Sequence, residues 1–292
     1  MTDSPLIPVR ELARRLRDPD VVILDATVVM PSARFDGDYQ AESGFSRWLG
    51  AHIPGSRFAD LLGDFSDHEA SFHFAAPKPP ALALALRALG VDDHKRLVVY
   101  DSESGLWAAR LWWMLRAIGI SARVLDGGFR RWRDDDQPIE AGHGETRPGG
   151  VLTIREDPTA WTALSAVRAV ERGERPGALV CALSPEIFHG TGPTRYARRG
   201  HIPGSRNLPA RELFDADGLY LDPAALSRAV ATRLGTAERP LILYCGGGVS
   251  AAADALALTL LGETRISIYD GSLEEWAADP SLPLVVDPPA RG

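Results

Sequence analysis

The stretch LILYCGGGVSAAADALALTLL, residues 241–261, decides the fold because its character changes twice within a few residues. The apolar run Leu241 to Tyr244 follows a proline and predicts a short strand that is buried on both faces. An Ala- and Leu-rich run from Ser250, which is suited to an N-cap, closes at Gly262 and predicts a helix. Cys245 therefore lies at the carboxyl end of a strand and faces the start of a helix across a run of glycines.

A strand-to-helix turn of this kind favours a bound anion. Successive backbone N–H groups point into one concavity there, and the helix macrodipole adds partial positive charge. A thiolate is such an anion, so the turn favours the reactive form of Cys245. The alternative interpretation is a small buried residue beside a flexible turn, because three consecutive glycines are a weak signal by themselves.

Composition and charge limit the class of protein. The chain has 292 residues, enough for two domains, with 45% apolar and 24% charged residues. The net charge of −7 argues against a nucleic-acid partner. The sequence shows neither a long apolar run nor an apolar leader, so we expect no membrane association and a cytoplasmic location. Two cysteines are too few for a disulfide scaffold.

A repeat divides the chain into two halves. Three pairs of similar segments occur in the same order in both halves, namely HIPGSR at 52–57 and 201–206, LVVYDSESG at 97–105 and LILYCGGGV at 241–249, and LDGGFRRW at 125–132 and YDGSLEEW at 269–276. The offset between partners is 149 for the first pair and 144 for the other two. Matches in one order at nearly constant offset indicate a duplicated domain.

Each half alternates short apolar runs with helix-like stretches. The apolar runs are 21–24, 97–100 and 123–125, then 179–182, 241–244 and 266–269, and the helix-like stretches include 80–89, 106–118 and 223–234. This alternation predicts an α/β fold with two tandem domains, each a parallel sheet flanked by helices. We expect a first domain at residues 1–140, a linker rich in Gly and Pro at 141–158, and a second domain at 159–292.

The repeat also compares the two strand ends. Tyr100 and Asp101 of the first half correspond to Tyr244 and Cys245 of the second. The first copy keeps the strand but has no nucleophile. A purely structural small residue has no reason to become a charged one in a matching buried position, so the comparison favours a functional cysteine in the second half alone.

These motifs together resemble the two-domain rhodanese sulfurtransferases. The resemblance rests on HIPGS in each half, on DGG followed by an aromatic residue and a tryptophan, and on the loop CGGGVSA in the second half only, and it covers about Val21 to Trp276. It implies a catalytically silent first domain, in agreement with Asp101. Related loops read Cys-Gly-Ser-Gly-Val-Thr in the mercaptopyruvate type and Cys-Arg-Lys-Gly-Val-Thr in the thiosulfate type.

The resemblance implies that the Cys245 thiolate takes sulfur from a small-molecule donor, 3-mercaptopyruvate or thiosulfate. The resulting persulfide passes its sulfur to cyanide or a thiol, including that of a thioredoxin-like protein. The residues expected to bind the donor are Gly246, Gly247, Gly248, Val249, Ser250, Arg195 and His73. No cofactor and no metal is implied, because the histidines lack metal-type spacing with the cysteines. His52 and His201, which open the HIPGS copies, are interpreted as structural because both halves keep them.

The stretch IFHGTGPTR, residues 187–195, departs from the mercaptopyruvate pattern. That pattern has two arginines for the substrate carboxylate; the second is Arg195, whereas Ile187 stands at the first, with Arg198 and Arg199 nearby as candidate replacements. We expect both donors to be used, with 3-mercaptopyruvate ahead because the loop is neutral. A thiosulfate-preferring rhodanese is the alternative.

The pattern's Ser, His and Asp set is matched at His73 only. Gly247 stands at the serine, and Leu62 at the aspartate with Asp60 two residues away. Cys181, in a neighbouring apolar run, is interpreted as a buried inert thiol; the alternative hypothesis is that it forms a reversible disulfide with Cys245 under peroxide.

Two rival functions remain open. Some phosphatases of this fold use a cysteine followed by five residues and an arginine, but that position is Ala251, which removes the phosphate clamp. A noncatalytic binding or regulatory module is the other rival. Thiocyanate formation from thiosulfate and cyanide distinguishes all three.

Overall fold

Two parallel five-stranded sheets, one from each half of the chain, form the framework of the computed structural model, which describes residues 4–144 and 148–287. The predicted domains and linker also include residues 1–3, 145–147 and 288–292, which lie outside the described ranges. The first sheet has the order β1 (Leu6–Ile7), β7 (Ala122–Leu125), β6 (Arg96–Tyr100), β2 (Val21–Asp25) and β5 (Arg57–Phe58). The second has the order β10 (Arg206–Asn207), β9 (Ala178–Cys181), β11 (Leu241–Tyr244), β12 (Ile266–Tyr269) and β8 (Trp161–Thr162). A separate antiparallel pair is formed by β3 (Val28–Val29) and β4 (Glu42–Ser43).

Helices flank both sheets, which confirms the predicted tandem α/β fold. They are α1 (Val9–Arg15), α2 (Phe45–Gly50), α3 (Pro79–Ala88), α4 (Leu106–Ala117) and α5 (Gly128–Asp134) in the first half, and α6 (Leu164–Glu171), α7 (Pro185–Phe188), a 3-10 helix (Ala210–Leu213), α8 (Pro223–Leu234), α9 (Val249–Leu260) and α10 (Ser272–Ala278) in the second. Both central strands, β6 and β11, read as continuous apolar runs because helices cover the two faces of each sheet.

The helix after the cysteine loop begins two residues earlier than the sequence predicted. Its first residue is Val249 and its N-cap is Gly248, not Ser250. Gly248 has a φ of 73°, in the left-handed region where a residue without Cβ has no steric penalty. Gly105 is the N-cap of α4 with a φ of 76°, so the two halves enter their helices in the same way.

The two halves share one core. Helices α4 and α9 pack against each other and are buried along most of their length, and a single apolar cluster contains residues from both. Each of these helices follows a central strand, so the strand-end loops of both halves lie close to the boundary between them. Loop residues of the second half therefore meet side chains of the first.

The HIPGS copies perform the same structural task in each half. Nδ1 of His52 lies 2.7 Å from the carbonyl oxygen of Trp48, and Nδ1 of His201 lies 2.8 Å from that of Phe188. The serine of each motif contacts the tyrosine hydroxyl that ends the central strand, as Ser205 does with Tyr244 at 2.8 Å. Both histidines are buried, which confirms their interpretation as structural residues.

Candidate active site

A cavity of about 500 Å³ opens between the two halves and contains Cys245, which is only 2% exposed. The residues predicted from the sequence that line it with Cys245 are Gly246, Gly247, Val249, Ser250 and Arg195. The first half contributes Tyr39, Phe74 and Trp107 to the same wall. The structure thus brings most of the predicted residues together, in a cleft that neither half forms alone.

Ser272 holds the cysteine loop from below. Its hydroxyl accepts the N–H of Cys245 at 3.1 Å and that of Gly248 at 3.2 Å, and donates to the Tyr269 carbonyl at 2.8 Å. Gly248 is therefore turned into the protein and does not line the cavity, contrary to its predicted role in binding the donor. The N–H groups of Gly246 and Gly247 have no acceptor in the part of the chain that the structure describes, so they are available to an anion.

Close neighbours explain why glycines form this loop. A Cβ on Gly246 would overlap the hydroxyl of Tyr196, and one on Gly247 would lie 3.3 Å from the His73 carbonyl oxygen. On Gly248 it would lie 2.6 Å from Nη1 of Arg110. The loop is thus enclosed from both halves of the molecule, and any larger residue would have to displace one of these groups.

His73 is oriented by a carboxylate that the sequence did not predict. Its Nδ1 is hydrogen-bonded to Oε1 of Glu274, and its ring stacks on Tyr39 with the centroids 4.3 Å apart. Both partners line the cavity, whereas His73 itself does not, and its side chain is 59% exposed. Asp60 instead accepts the N–H of Leu62 at 3.0 Å, so neither residue of that stretch partners the histidine. The set that appeared broken in sequence is rebuilt with Glu274 of α10.

Two tyrosine hydroxyls complete the wall beside the thiol. Burial raises the pKa of Tyr39 well above its usual value, and the charges of Glu274 and Cys245 raise it further. Burial also raises the pKa of Tyr196, with the neighbouring Cys245 as the next cause. Both phenols keep their protons at neutral pH, so each is a hydrogen-bond donor for an anion in the cavity.

Arg195 is the predicted arginine that reaches the cavity. It donates to the Pro31 carbonyl, and its Nε has no partner within the described residues. Arg198 donates to four backbone carbonyls at the end of α10 and beyond, one of them that of Asp279 at 2.6 Å. Arg199 pairs with Asp36 at 2.8 Å. Neither lines the cavity, so neither replaces the arginine that is missing at Ile187.

Cys181 is separated from Cys245 by the sheet. It pairs in register with Tyr244 and packs in the same apolar cluster as that residue, whereas Cys245 packs in the cluster on the other face. Burial raises the pKa of Cys181 to about 12. A disulfide with Cys245, the alternative hypothesis in which both thiols face one crevice, would require the strands to rearrange. Side-chain alternation along β9 and β11 is the reason.

Sequence reasoning missed Tyr39, Tyr196, Glu274 and Arg110. Glu274 had one available signal: within the repeated DG motif, it stands where the first half has Arg130, a reversal of charge. The other three had none, because each reaches the loop from a distant point in the chain.

Among the described residues, no group of three or more His, Cys, Asp or Glu side chains is arranged to hold a metal ion. Within the same ranges, no helix has the length and apolar character needed to cross a membrane.

Comparison with known proteins places this cleft in a characterised context. Residues 8–135 and 185–279 each match the family described as Rhodanese-like domain. The chain is 34% identical over 280 residues to 3-mercaptopyruvate sulfurtransferase of Escherichia coli, covering 94% of this chain and 95% of that protein. It is 33% identical over 307 residues to the mitochondrial thiosulfate/3-mercaptopyruvate sulfurtransferase 1 of Arabidopsis thaliana, covering 97% of this chain and 78% of that protein. The crystal structure of SseA from Escherichia coli matches with a TM-score of 0.78 and 31% identity, over 92% of this chain and 98% of that one.

Proposed function

The chain belongs to the rhodanese family and is a sulfurtransferase, and we propose that it moves sulfur from 3-mercaptopyruvate, through a persulfide on Cys245, to cyanide or a thiol. The observation that carries this proposal is the thiol of Cys245 in the cleft, at the end of β11, beside loop amides that have no acceptor among the described residues. In this proposal residues 159–292 form the catalytic domain, residues 141–158 the linker, and residues 1–140 a domain without a nucleophile.

The chemistry balances with the residues of the cleft. The Cys245 thiolate attacks the sulfur of 3-mercaptopyruvate, an S–S bond forms, and the C–S bond breaks with its electron pair passing to pyruvate enolate. A proton on the enolate carbon then gives pyruvate. Cyanide or a thiolate next attacks the outer sulfur, and the S–S electron pair returns to Cys245. The loop amides stabilise the anionic sulfur in both steps.

His73 and Glu274 supply the proton in the first step. The Nδ1–H of His73 donates to the Glu274 carboxylate, which fixes the orientation of the ring and leaves Nε2 as the nitrogen that delivers the proton. Thiosulfate reacts differently, because its leaving group, sulfite, departs without protonation. The His73–Glu274 pair is therefore required for one donor and dispensable for the other.

The cleft favours 3-mercaptopyruvate over thiosulfate. The loop carries Gly246 and Gly247 instead of cations, so the loop itself offers a dianionic donor only its amides and the helix dipole. A single carboxylate suits Arg195, which lines the cavity with Cys245. Ile187 also lines it and supplies no second cation. We expect thiosulfate to be used more slowly.

The acceptor is a small thiophile or a reduced thiol, and a thioredoxin-like protein is the macromolecular candidate. A cytoplasmic reaction suits this acceptor, because reduced thiols are maintained in reducing compartments.

The test of the nucleophile is Cys245→Ser, with Cys181→Ser as the matched control on the other face of the sheet. Cys245→Ser should lower thiocyanate formation by more than about 1000-fold, while Cys181→Ser keeps most of it. Mass spectrometry after donor treatment should show one added sulfur atom on the Cys245 peptide, removed by cyanide. Full activity in Cys245→Ser would refute the proposal.

The test of the donor is Arg195→Ala, with Arg199→Ala as the control, because Arg199 is adjacent but pairs with Asp36 outside the cavity. Losing a charged hydrogen bond to the carboxylate should raise KM for 3-mercaptopyruvate by about 10-fold and change KM for thiosulfate less. Unchanged kinetics with 3-mercaptopyruvate, or a parent enzyme that is markedly better with thiosulfate, would show that the donor is wrong.

A further inference from the structure

A buried arginine of the first half lies behind the catalytic loop of the second. Arg110, on α4, is only 1% exposed, and its guanidinium lies 4.9 Å from the ring of Trp161. Nη2 donates at 2.6 Å both to the Phe74 carbonyl and to Oδ1 of Asp270. Nε and Nη1 have no partner among the described residues. Burying a charged group with unpaired N–H groups is unfavourable, so side-chain packing alone does not explain an arginine at this position.

Arg110 and Asp270 both contact the segment that follows His73, the proposed proton donor. Phe74 directly follows His73 in the chain, and its carbonyl accepts from Arg110. Oδ2 of Asp270 accepts the N–H of Ala76 at 2.8 Å. The segment after His73 is therefore fixed to the Arg110–Asp270 ion pair at two points, one by each partner.

Arg110 and Asp270 also lie next to the loop of Cys245, the proposed nucleophile. Asp270 stands two residues before Ser272, whose hydroxyl accepts the N–H groups of Cys245 and Gly248. Nη1 of Arg110 also lies 2.6 Å from the place where a Cβ of Gly248 would stand. The same guanidinium thus bounds the floor of the loop and holds the turn that supports it.

We infer that Arg110 is a positioning residue, through which the domain without a nucleophile fixes His73 relative to Cys245. This inference rests on the proposed function, in which His73 protonates the enolate that leaves Cys245. A misplacement of about 1 Å between reacting groups is enough to cost about 100-fold in rate. The ion pair bridges the two halves, so it helps to set this distance together with the His73–Glu274 hydrogen bond.

The inference predicts an effect that depends on the donor. Transfer from 3-mercaptopyruvate requires that His73 is correctly positioned relative to the Cys245 thiol, whereas transfer from thiosulfate requires only the thiol and its loop. Loss of the Arg110–Asp270 ion pair should therefore lower the rate of transfer from 3-mercaptopyruvate more than the rate of transfer from thiosulfate. A role in stability alone would lower both by the same factor.

The experiment compares Arg110→Lys with Ala76→Pro. Lysine keeps the charge but has no planar fork to reach Phe74 and Asp270 together. Proline removes the hydrogen bond from the Ala76 N–H to Asp270 but keeps both side chains of the buried pair. The control is Arg123→Lys, a half-buried arginine paired with Glu11 at 2.6 Å within the first half.

Measured on folded protein, both test variants should lower kcat with 3-mercaptopyruvate by about 10- to 100-fold and kcat with thiosulfate by much less. Alkylation of Cys245 by iodoacetamide should stay close to the parent rate, and Arg123→Lys should keep the parent ratio of the two donors. If the donor ratio of both test variants equals that of the parent while Cys245→Ser is inactive, the positioning role is wrong and the proposed function stands. If Cys245→Ser is active, the function itself fails.

Discussion

The strand-end loops of the two halves are versions of one anion-binding turn, and they differ in what fills it. In the first half the Asp101 carboxylate fills it: Oδ1 accepts the N–H groups of Glu103, Ser104 and Gly105 at 2.9 to 3.0 Å, and Oδ2 accepts that of Ala108 at 2.9 Å. The side chain is 1% exposed. The first loop thus has its own side-chain acceptor for these N–H groups.

In the second half the corresponding residue is a thiol, and the turn is open to the cleft. The loop there, residues 245–248, is one residue shorter than residues 101–105. Its Cys245 carbonyl accepts from Leu273 at 3.0 Å, as the Asp101 carbonyl accepts from Phe129 at 2.9 Å, so the two backbones are anchored alike. The comparison teaches that the fold supplies the anion site in both halves. In the proposed function, the thiol that stands in place of this fixed carboxylate gains and loses a sulfur atom, and this difference makes the second half the catalytic one.

The largest expected effect comes from emptying the filled turn. Asp101→Ala leaves one buried and three partly buried N–H groups without this acceptor, and we expect the free energy of unfolding to fall by about 3–4 kcal/mol. Asp101→Asn, which keeps Oδ1, should lose much less. Urea unfolding measures both. An alanine variant as stable as the parent would mean that these four hydrogen bonds do not stabilise the folded protein.

This comparison was partly available from the sequence. The HIPGS and DG repeats predicted the duplication, and the alignment of Asp101 with Cys245 predicted which half is silent, because both signals are local strings. Glu274 meets His73 across 201 positions of the chain, and no local pattern specifies that contact. The extra residue of the first loop could not be seen from the repeat. The offset between the halves changes after the loops and returns to 144 at the DG motif, so the two motifs align as if the loops had equal length.

The next prediction concerns the neighbouring strand ends, where Asp25 of β2 pairs in register with Tyr100 as Cys181 of β9 does with Tyr244. Burial raises the pKa of Asp25 to about 6, above its value in the unfolded chain. Between about pH 4 and pH 6 the native state therefore holds a proton that the unfolded chain releases, and stability from this group falls as pH rises.

Asp25→Asn removes that titration. Relative to the parent, the variant should gain about 2–3 kcal/mol in the free energy of unfolding between pH 4 and pH 7. Subtracting the two urea-unfolding series across this range isolates the contribution, since the other carboxylates are common to both proteins. A difference that does not change with pH would mean that Asp25 is not held protonated by burial.

The smallest expected effect concerns the residue that lies below each strand-end loop. Ser272 of the second half corresponds to Gly128 of the first, and both have left-handed backbone, with φ of 49° and 57°. Ser272→Gly removes the hydroxyl that accepts from Cys245 and Gly248 while relieving backbone strain of about 1 kcal/mol. Stability should therefore change little, whereas kcat/KM should fall by about 10-fold, equivalent to about 1.4 kcal/mol, because the loop loses its support. Ser272→Ala, which keeps the strain, should show the same kinetic loss with lower stability. If the glycine variant retained full activity, the hydroxyl would not be holding the loop, and the backbone common to both halves would suffice to position the thiol.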